Sequence, residues 1–279
     1  VLQVPETKWA IMGGSSTFST RFPEDVNQGA AVIDRDLVFE TPYGSSPPFT
    51  LFEFSRQRVL TCRMHGWRPG VTRGQASQQI FWVFREAGVT RILAEGGVGA
   101  INHLLRPRDL IIPNDYIDWS MRRDVGLGSQ HLLIMRQSLC PELRQCLTEA
   151  AGTLPGRRVF DRGVYVCTDG RHFESPAEVS AFRQWGGDII GQSLCPEVYL
   201  AREIGACYAS LQMVVNFAEG VIKDWQHREL EDIFHTEGTA VGAILLTALK
   251  NALERPRVCG CCDLRKDTLI KDSPTTDGE

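Results

Sequence analysis

Two glycine-rich stretches carry the residues best suited to meet a charged ligand. Gly13-Gly14-Ser15-Ser16 follows the apolar run Trp9-Ala10-Ile11-Met12. Small residues after a strand let the main chain approach a ligand, and exposed N–H groups beside the Ser15 hydroxyl make an anion cradle. The same residues also suit a plain turn. The second stretch, Glu95-Gly96-Gly97-Val98-Gly99-Ala100, opens on a carboxylate. Glu95 has three readings: a general base for water, a charge that repels a phosphate dianion, or a solvated loop acid.

Cys259-Gly260-Cys261-Cys262 is the other reactive cluster. It suits a disulfide between near neighbours, half of a metal site, or reactive surface thiols. Zinc needs four ligands, and no second paired Cys or His motif lies nearby in sequence, so no metal site is expected within the chain. The remaining cysteines of the nine are spread through predicted strands and helices and read as buried thiols.

Alternating strands and helices must position these groups. Lys8 to Met12 reads as a buried strand, Thr41-Pro42-Tyr43-Gly44 as a turn, and Leu51 to Phe54 with Val59 to Cys62 as paired strands. The apolar face Ile80, Val83, Phe84, Ala87 predicts a helix over Gln75 to Ala87, stopped by Gly88. Arg91 to Ala94 is a strand leading into the second glycine stretch. Leu110 to Ile112 enters an acidic loop around Asp115 and Asp118.

Further helices are predicted over Pro141 to Ala151, from Ser175, over Glu197 to Ile204 and between Leu230 and Leu253. Further strands are predicted over Gly163 to Cys167, Asp188 to Gly191 and Cys207 to Val215. The alternation predicts an α/β fold with a mixed sheet covered on both faces and a ligand where strand ends meet. One main domain over 1–258 and a cysteine-containing polar tail over 259–279 are expected, with Asp263 to Glu279 mobile.

Composition bounds the partners. The 279 residues are 43% hydrophobic and 23% charged, with net charge -4. Lys and Arg are dispersed among more numerous acids, which argues against a nucleic-acid footprint. No apolar run is long enough to cross a bilayer, and Val1 to Trp9 lacks a basic segment followed by an apolar one, so a soluble cytoplasmic protein without a membrane partner is expected.

The order of these pieces resembles the methylthioadenosine phosphorylase branch of the nucleoside phosphorylase family. The matching stretches include Ile11-Met12-Gly13-Gly14-Ser15, Thr41-Pro42-Tyr43-Gly44, His65-Gly66, Asp169-Gly170 with Phe173, and Ser175-Pro176-Ala177-Glu178. They continue through Phe182-Arg183, Trp185-Gly186, Pro196-Glu197, Ala201-Arg202-Glu203 and Cys207-Tyr208-Ala209-Ser210, in collinear order. The resemblance implies a single-domain nucleoside phosphorylase-like fold, a twisted mixed β-sheet flanked by helices. It also implies a homotrimer with sites near subunit interfaces, purine nucleoside substrates, inorganic phosphate as co-substrate and no cofactor.

Site residues follow from the same resemblance. Ser15, His65, Gly97 and Ser193 fall at the phosphate positions, and Phe173, Gln192 and Asn216 at the base and ribose positions. Asn216, Ser193 and His65 are the expected catalytic residues. The family branch generally has Asp where this chain has Asn216, whereas members using 6-oxopurines have Asn. An amide both donates and accepts, matching N7 and a 6-oxo group.

Several positions depart from the pattern. Met64 stands at the Arg of the Arg-His-Gly motif, Gly96 and Gly97 replace Thr-Ala, Gln192 replaces Met, and Ala218 replaces an aspartate. Arg68, Arg171 and His172 are the candidates for restoring positive charge. Three activities compete: phosphorolysis of a 6-oxopurine nucleoside, hydrolysis with Glu95 as base, and noncatalytic nucleoside binding.

Overall fold

The computed structural model describes residues 2–128 and 131–268. Among the described residues, fifteen strands occur in chain order: β1 Trp9–Met12, β2 Ala31–Leu37, β3 Glu40–Thr41, β4 Gly44–Ser45, β5 Phe49–Phe54, β6 Gln57–Cys62, β7 Arg91–Ala100 and β8 Leu110–Ile111. They continue as β9 Asp115–Asp118, β10 His131–Leu133, β11 Val159–Phe160, β12 Val164–Cys167, β13 Ile189–Gly191, β14 Cys207–Phe217 and β15 Arg265–Asp267. The helices are α1 Arg73–Ala87, α2 Pro141–Gly152, α3 Pro176–Gln184, α4 Leu194–Glu203, α5 His227–Thr236 and α6 Gly238–Leu253.

The main sheet runs β11-β8-β14-β7-β1-β6-β5-β2, with β13 joined to β7 and leading on through β12 to β9. Parallel β1, β6, β7 and β14 form its centre, and antiparallel pairs extend it. The expected mixed sheet is therefore present. One face packs with α1 and α4, burying Ile80, Phe81, Phe84 and Val198. The other packs with α2 and α6, burying Leu143, Leu147, Leu245 and Leu249.

Local signals explain most element ends. Thr72 caps α1 by accepting the Gln75 N–H, and Gly88 ends it at φ 72. Ser175 and Glu178 complete a reciprocal capping box on α3. Three expectations need correction.

The Glu95 to Ala100 stretch is strand rather than loop, because β14 pairs along the whole of β7, and its glycines leave room for the Gln212 and Ser15 side chains that pack over them. The acidic loop at Asp115 and Asp118 is strand β9, paired in parallel with β12. The first part of the C-terminal segment is built into the body: a short 3-10 turn over Gly260–Leu264 leads into β15, which pairs with β10. The rest of that segment, 269–279, lies outside the described residues.

Candidate functional site

A cavity lies where the chain leaves β1, β6, β13 and β14 beside the glycines of β7. Ser15, His65, Gly97, Phe173, Gln192, Ser193 and Asn216 all line it. Strand ends from distant parts of the sequence thus bring every expected site residue to one place.

At one end, Ser15 Oγ accepts the Gly97 N–H at 3.0 Å, tying the two glycine stretches together. Gly14 lies so close to the carbonyl of Glu95 and to His65 Nε2 that a Cβ there would collide with both. His65 is buried, in a turn where Met64, His65 and Gly66 have φ of 50, 52 and 70. Its Nδ1 lies 2.7 Å from Glu197 Oε1, and Tyr208 Oη donates to the other Glu197 oxygen at 2.7 Å. Burial opposes charge on His65, but the Glu197 carboxylate, followed by the charge and the carbonyl of Glu95, outweighs it, so its pKa is raised above 6.5. The Glu197 carboxylate thus favours the protonated form of the imidazole beside the loop.

Ser193 sits under Tyr165, whose hydroxyl accepts the Ser193 N–H at 3.2 Å and approaches Oγ at 3.5 Å. Gly96 leaves room beside it: a Cβ there would lie 3.5 Å from Ser193 Oγ and 2.8 Å from Gln212 Oε1. The Gln212 oxygen is buried without a hydrogen-bond partner.

Glu95 is neither a solvated acid nor a base facing the cavity. Its side chain is fully buried and turned into the first glycine loop. It accepts the N–H groups of Gly14, Ser16 at 3.1 Å and Thr17 at 3.2 Å, and the Thr17 hydroxyl at 2.7 Å. The loop does bind an anion, and that anion is Glu95. Ser15, whose N–H is absent from this set, faces the cavity instead.

None of the proposed replacement cations lines the cavity. Arg68 is spent on Gly66, Ser45 and Gln79, and Arg171 and His172 lie exposed on the loop before Phe173. Arg63 reaches the Phe18 carbonyl. Met64 itself contributes to the lining, so an apolar thioether stands where the family pattern has a guanidinium. Arg73 was not legible in the sequence as a site residue: it donates to Gln192 Oε1 at 2.7 Å and stacks 3.9 Å over Trp67, fixing two lining side chains.

At the other end, Phe173 meets Trp225 edge-on at 5.0 Å, and Trp225 donates to Glu219 at 2.8 Å. Asn216 follows a register shift in β14 that redirects the strand end, and it commits one amide N–H to the Phe217 carbonyl at 2.7 Å. Glu174, buried and lining the same end, accepts the Thr168 hydroxyl. Sequence reading passed over it, although its place directly after Phe173 was the available signal.

The cysteines also converge. The Sγ atoms of Cys140, Cys207, Cys259 and Cys261 all lie within 4.8 Å of one another. The second pair that the sequence lacked near 259–262 is supplied by residues distant in the chain, Cys140 at the start of α2 and Cys207 at the start of β14. Cys262 stays exposed outside the group.

Residues 8–250 match the family model described as "Phosphorylase superfamily". The chain is 32% identical to a 6-oxopurine nucleoside phosphorylase of Pyrococcus furiosus, over 92% of this chain and 97% of that protein. It is 38% identical to a probable 6-oxopurine nucleoside phosphorylase of Korarchaeum cryptofilum, over 84% and 93%. It is 36% identical to a probable S-methyl-5'-thioinosine phosphorylase of Methanopyrus kandleri, over 82% and 85%. In fold it is similar to a methylthioadenosine phosphorylase from an antarctic soil metagenomic library, with a TM-score of 0.76 at 23% identity, covering 93% of this chain and 91% of that one.

Proposed function

The chain belongs to the phosphorylase superfamily as a purine nucleoside phosphorylase-like enzyme, and from that premise we propose that it cleaves 6-oxopurine nucleosides with inorganic phosphate. The observation that carries the base preference is the pairing of Glu174 with Asn216 at one end of the cavity. A 6-oxopurine carries a proton on N1 and an acceptor at O6, whereas a 6-aminopurine reverses both. A carboxylate accepts from N1–H, and an amide both donates and accepts, so the pair complements the oxo form. Phe173 offers an aromatic face to the base.

Phosphate enters at the other end, against the Ser15 hydroxyl and N–H, beside Gly97, and against Ser193 and the His65 imidazole. Its attack on the anomeric carbon expels the base through an oxocarbenium-like transition state, which the bound dianion stabilises electrostatically. Asn216 steadies the charge growing on the departing base. Gln192, held by Arg73, faces the ribose. With Met64 in place of a guanidinium, phosphate lacks a fixed, doubly hydrogen-bonding cation, and weak phosphate affinity is expected.

Hydrolysis through Glu95 is the weaker reading, since that carboxylate is committed to four donors in the loop. A homotrimer belongs to the same proposal: Trp119 and Trp185 pack at 5.0 Å yet stay half exposed, beside a highly exposed Met121, an apolar surface suited to another copy. Light scattering on the purified chain tests the assembly. Turnover of inosine, guanosine, 5'-methylthioinosine and adenosine tests the substrate class. Faster turnover of the oxo compounds supports it, and a preference for adenosine overturns it.

A further inference from the structure

At the opposite end of β14 from the cavity, the four thiols of Cys140, Cys207, Cys259 and Cys261 form a closed group. Cys207 opens β14 and Asn216 lies nine residues along it, which at the rise of a strand separates group and cavity by about 30 Å. The group therefore has no direct part in glycosidic cleavage. Its members come from three separate elements: the residue preceding α2, the first residue of β14, and the Cys259-Gly260-Cys261 turn before β15.

Two oxidation or ligation states suit such a group, and their geometries differ. A disulfide draws two sulfurs to about 2.05 Å and leaves the pairs separate. A tetrahedral zinc at about 2.3 Å from each sulfur spaces all four at about 3.8 Å from one another. Here Cys207 and Cys259 stand 3.4 Å apart, and all six separations fall within 4.8 Å. Each thiol has three sulfur neighbours rather than one.

The surroundings hold the sulfurs in place. The Cys140 N–H bonds the Tyr208 carbonyl at 2.8 Å, and the Cys207 N–H bonds the Thr90 carbonyl at 2.8 Å. Arg202 donates to the Cys261 carbonyl at 3.3 Å and to the Gln137 carbonyl at 2.8 Å, drawing the turn onto the body. Arg257, two residues before Cys259 in the chain, donates to the Gly205 carbonyl at 3.4 Å, and places a cation near a zinc tetrathiolate's two negative charges.

We propose that Cys140, Cys207, Cys259 and Cys261 bind a single zinc ion in a structural tetrathiolate site that fastens the C-terminal segment to the fold. Four thiols each give up a proton as four Zn–S bonds form, and no oxidation is involved. All four positions are filled by protein, so the ion has no open position for chemistry.

The test is metal analysis of the purified full chain by plasma mass spectrometry, with native mass spectrometry on the same sample. The expected result is one zinc per chain, with release by an organomercurial. Cys259→Ser together with Cys261→Ser loses the zinc, and Cys262→Ser, outside the group, keeps it. Protein stripped under reducing conditions and titrated with Co2+ alone should give the intense sulfur-to-metal charge-transfer bands of a tetrahedral thiolate site, so the proposal does not depend on the double variant folding. No zinc in the native protein together with no cobalt bands overturns it, whether mass and thiol counts then show disulfides or free thiols.

Discussion

Glu95 Oε1 accepts both the hydroxyl of Thr17, at 2.7 Å, and its main-chain N–H, at 3.2 Å. That double contact turns a carboxylate at the edge of the cavity away from it and makes it the internal counter-anion of the first glycine loop. The loop arrives at the ligand already ordered, with Ser15 left over to face the cavity. An acid that would repel phosphate is thus neutralised by donors that would otherwise need an anion of their own.

Glu95→Gln sets an amide N–H against main-chain N–H groups that require an acceptor. Hydrogen bonds to a charged group are each worth about 1.5–3 kcal/mol, and a loss of at least that order is expected in chemical denaturation. In kinetics the change should raise KM for phosphate more than it lowers kcat. Abolished turnover with unchanged stability would instead mark Glu95 as the base.

Glu197→Gln keeps the shape beside His65 but removes the charge that holds its pKa up. A raised imidazole contributes stability that is fully present below its unfolded value near 6.5 and is lost as pH rises through the folded value. Phosphate KM in the parent protein should therefore rise with pH beginning above 6.5, and the variant should show that rise at lower pH. Profiles that coincide would separate His65 charge from phosphate binding.

Glu174→Gln and Asn216→Asp probe the base end. Losing one hydrogen bond to a charged acceptor corresponds to about a 10- to 100-fold fall in kcat/KM for inosine in Glu174→Gln. Asn216→Asp should move the preference toward adenosine, because a carboxylate accepts from a 6-amino group and repels a 6-oxo one. Steady-state rates on both nucleosides read out each change.

Gly14→Ala has a steric cause to fail, since its Cβ would meet the Glu95 carbonyl and His65 Nε2. A cost of about 1–3 kcal/mol is expected from overpacking, with displacement of His65. Gly152→Ala is the control: nothing lies within 4 Å of its Cβ at the end of α2, and the change should be neutral or stabilising by up to about 1 kcal/mol. Paired denaturation curves decide it.

Much of the sheet was readable because its central strands open on or contain apolar runs such as Trp9 to Met12, Val59 to Cys62 and Ile92 to Ala94, and α1 and α3 because their caps are local, Thr72 and Gly88 for one and Ser175 with Glu178 for the other. What escaped was set by distant partners. Glycines 96, 97 and 99 read as a loop until β14 is seen to pair beside them. The orientation of Glu95 depends on a loop eighty residues away, apart by 78 to 81 positions. Cys140 and Cys207 are ordinary core thiols in sequence and join Cys259 and Cys261 only through the packing of α2 and β14. Glu174 was overlooked beside a more conspicuous Phe173.

The central claim is that phosphate is the nucleophile despite Met64. The direct measurement is release of hypoxanthine from inosine at varied phosphate, with the sugar product followed by phosphorus magnetic resonance. The account predicts release that vanishes without phosphate, a KM for phosphate high enough that the rate keeps climbing through the millimolar range, and ribose 1-phosphate formed mole for mole with base. Base released at the same rate without phosphate, with free ribose as the only sugar product, would contradict it.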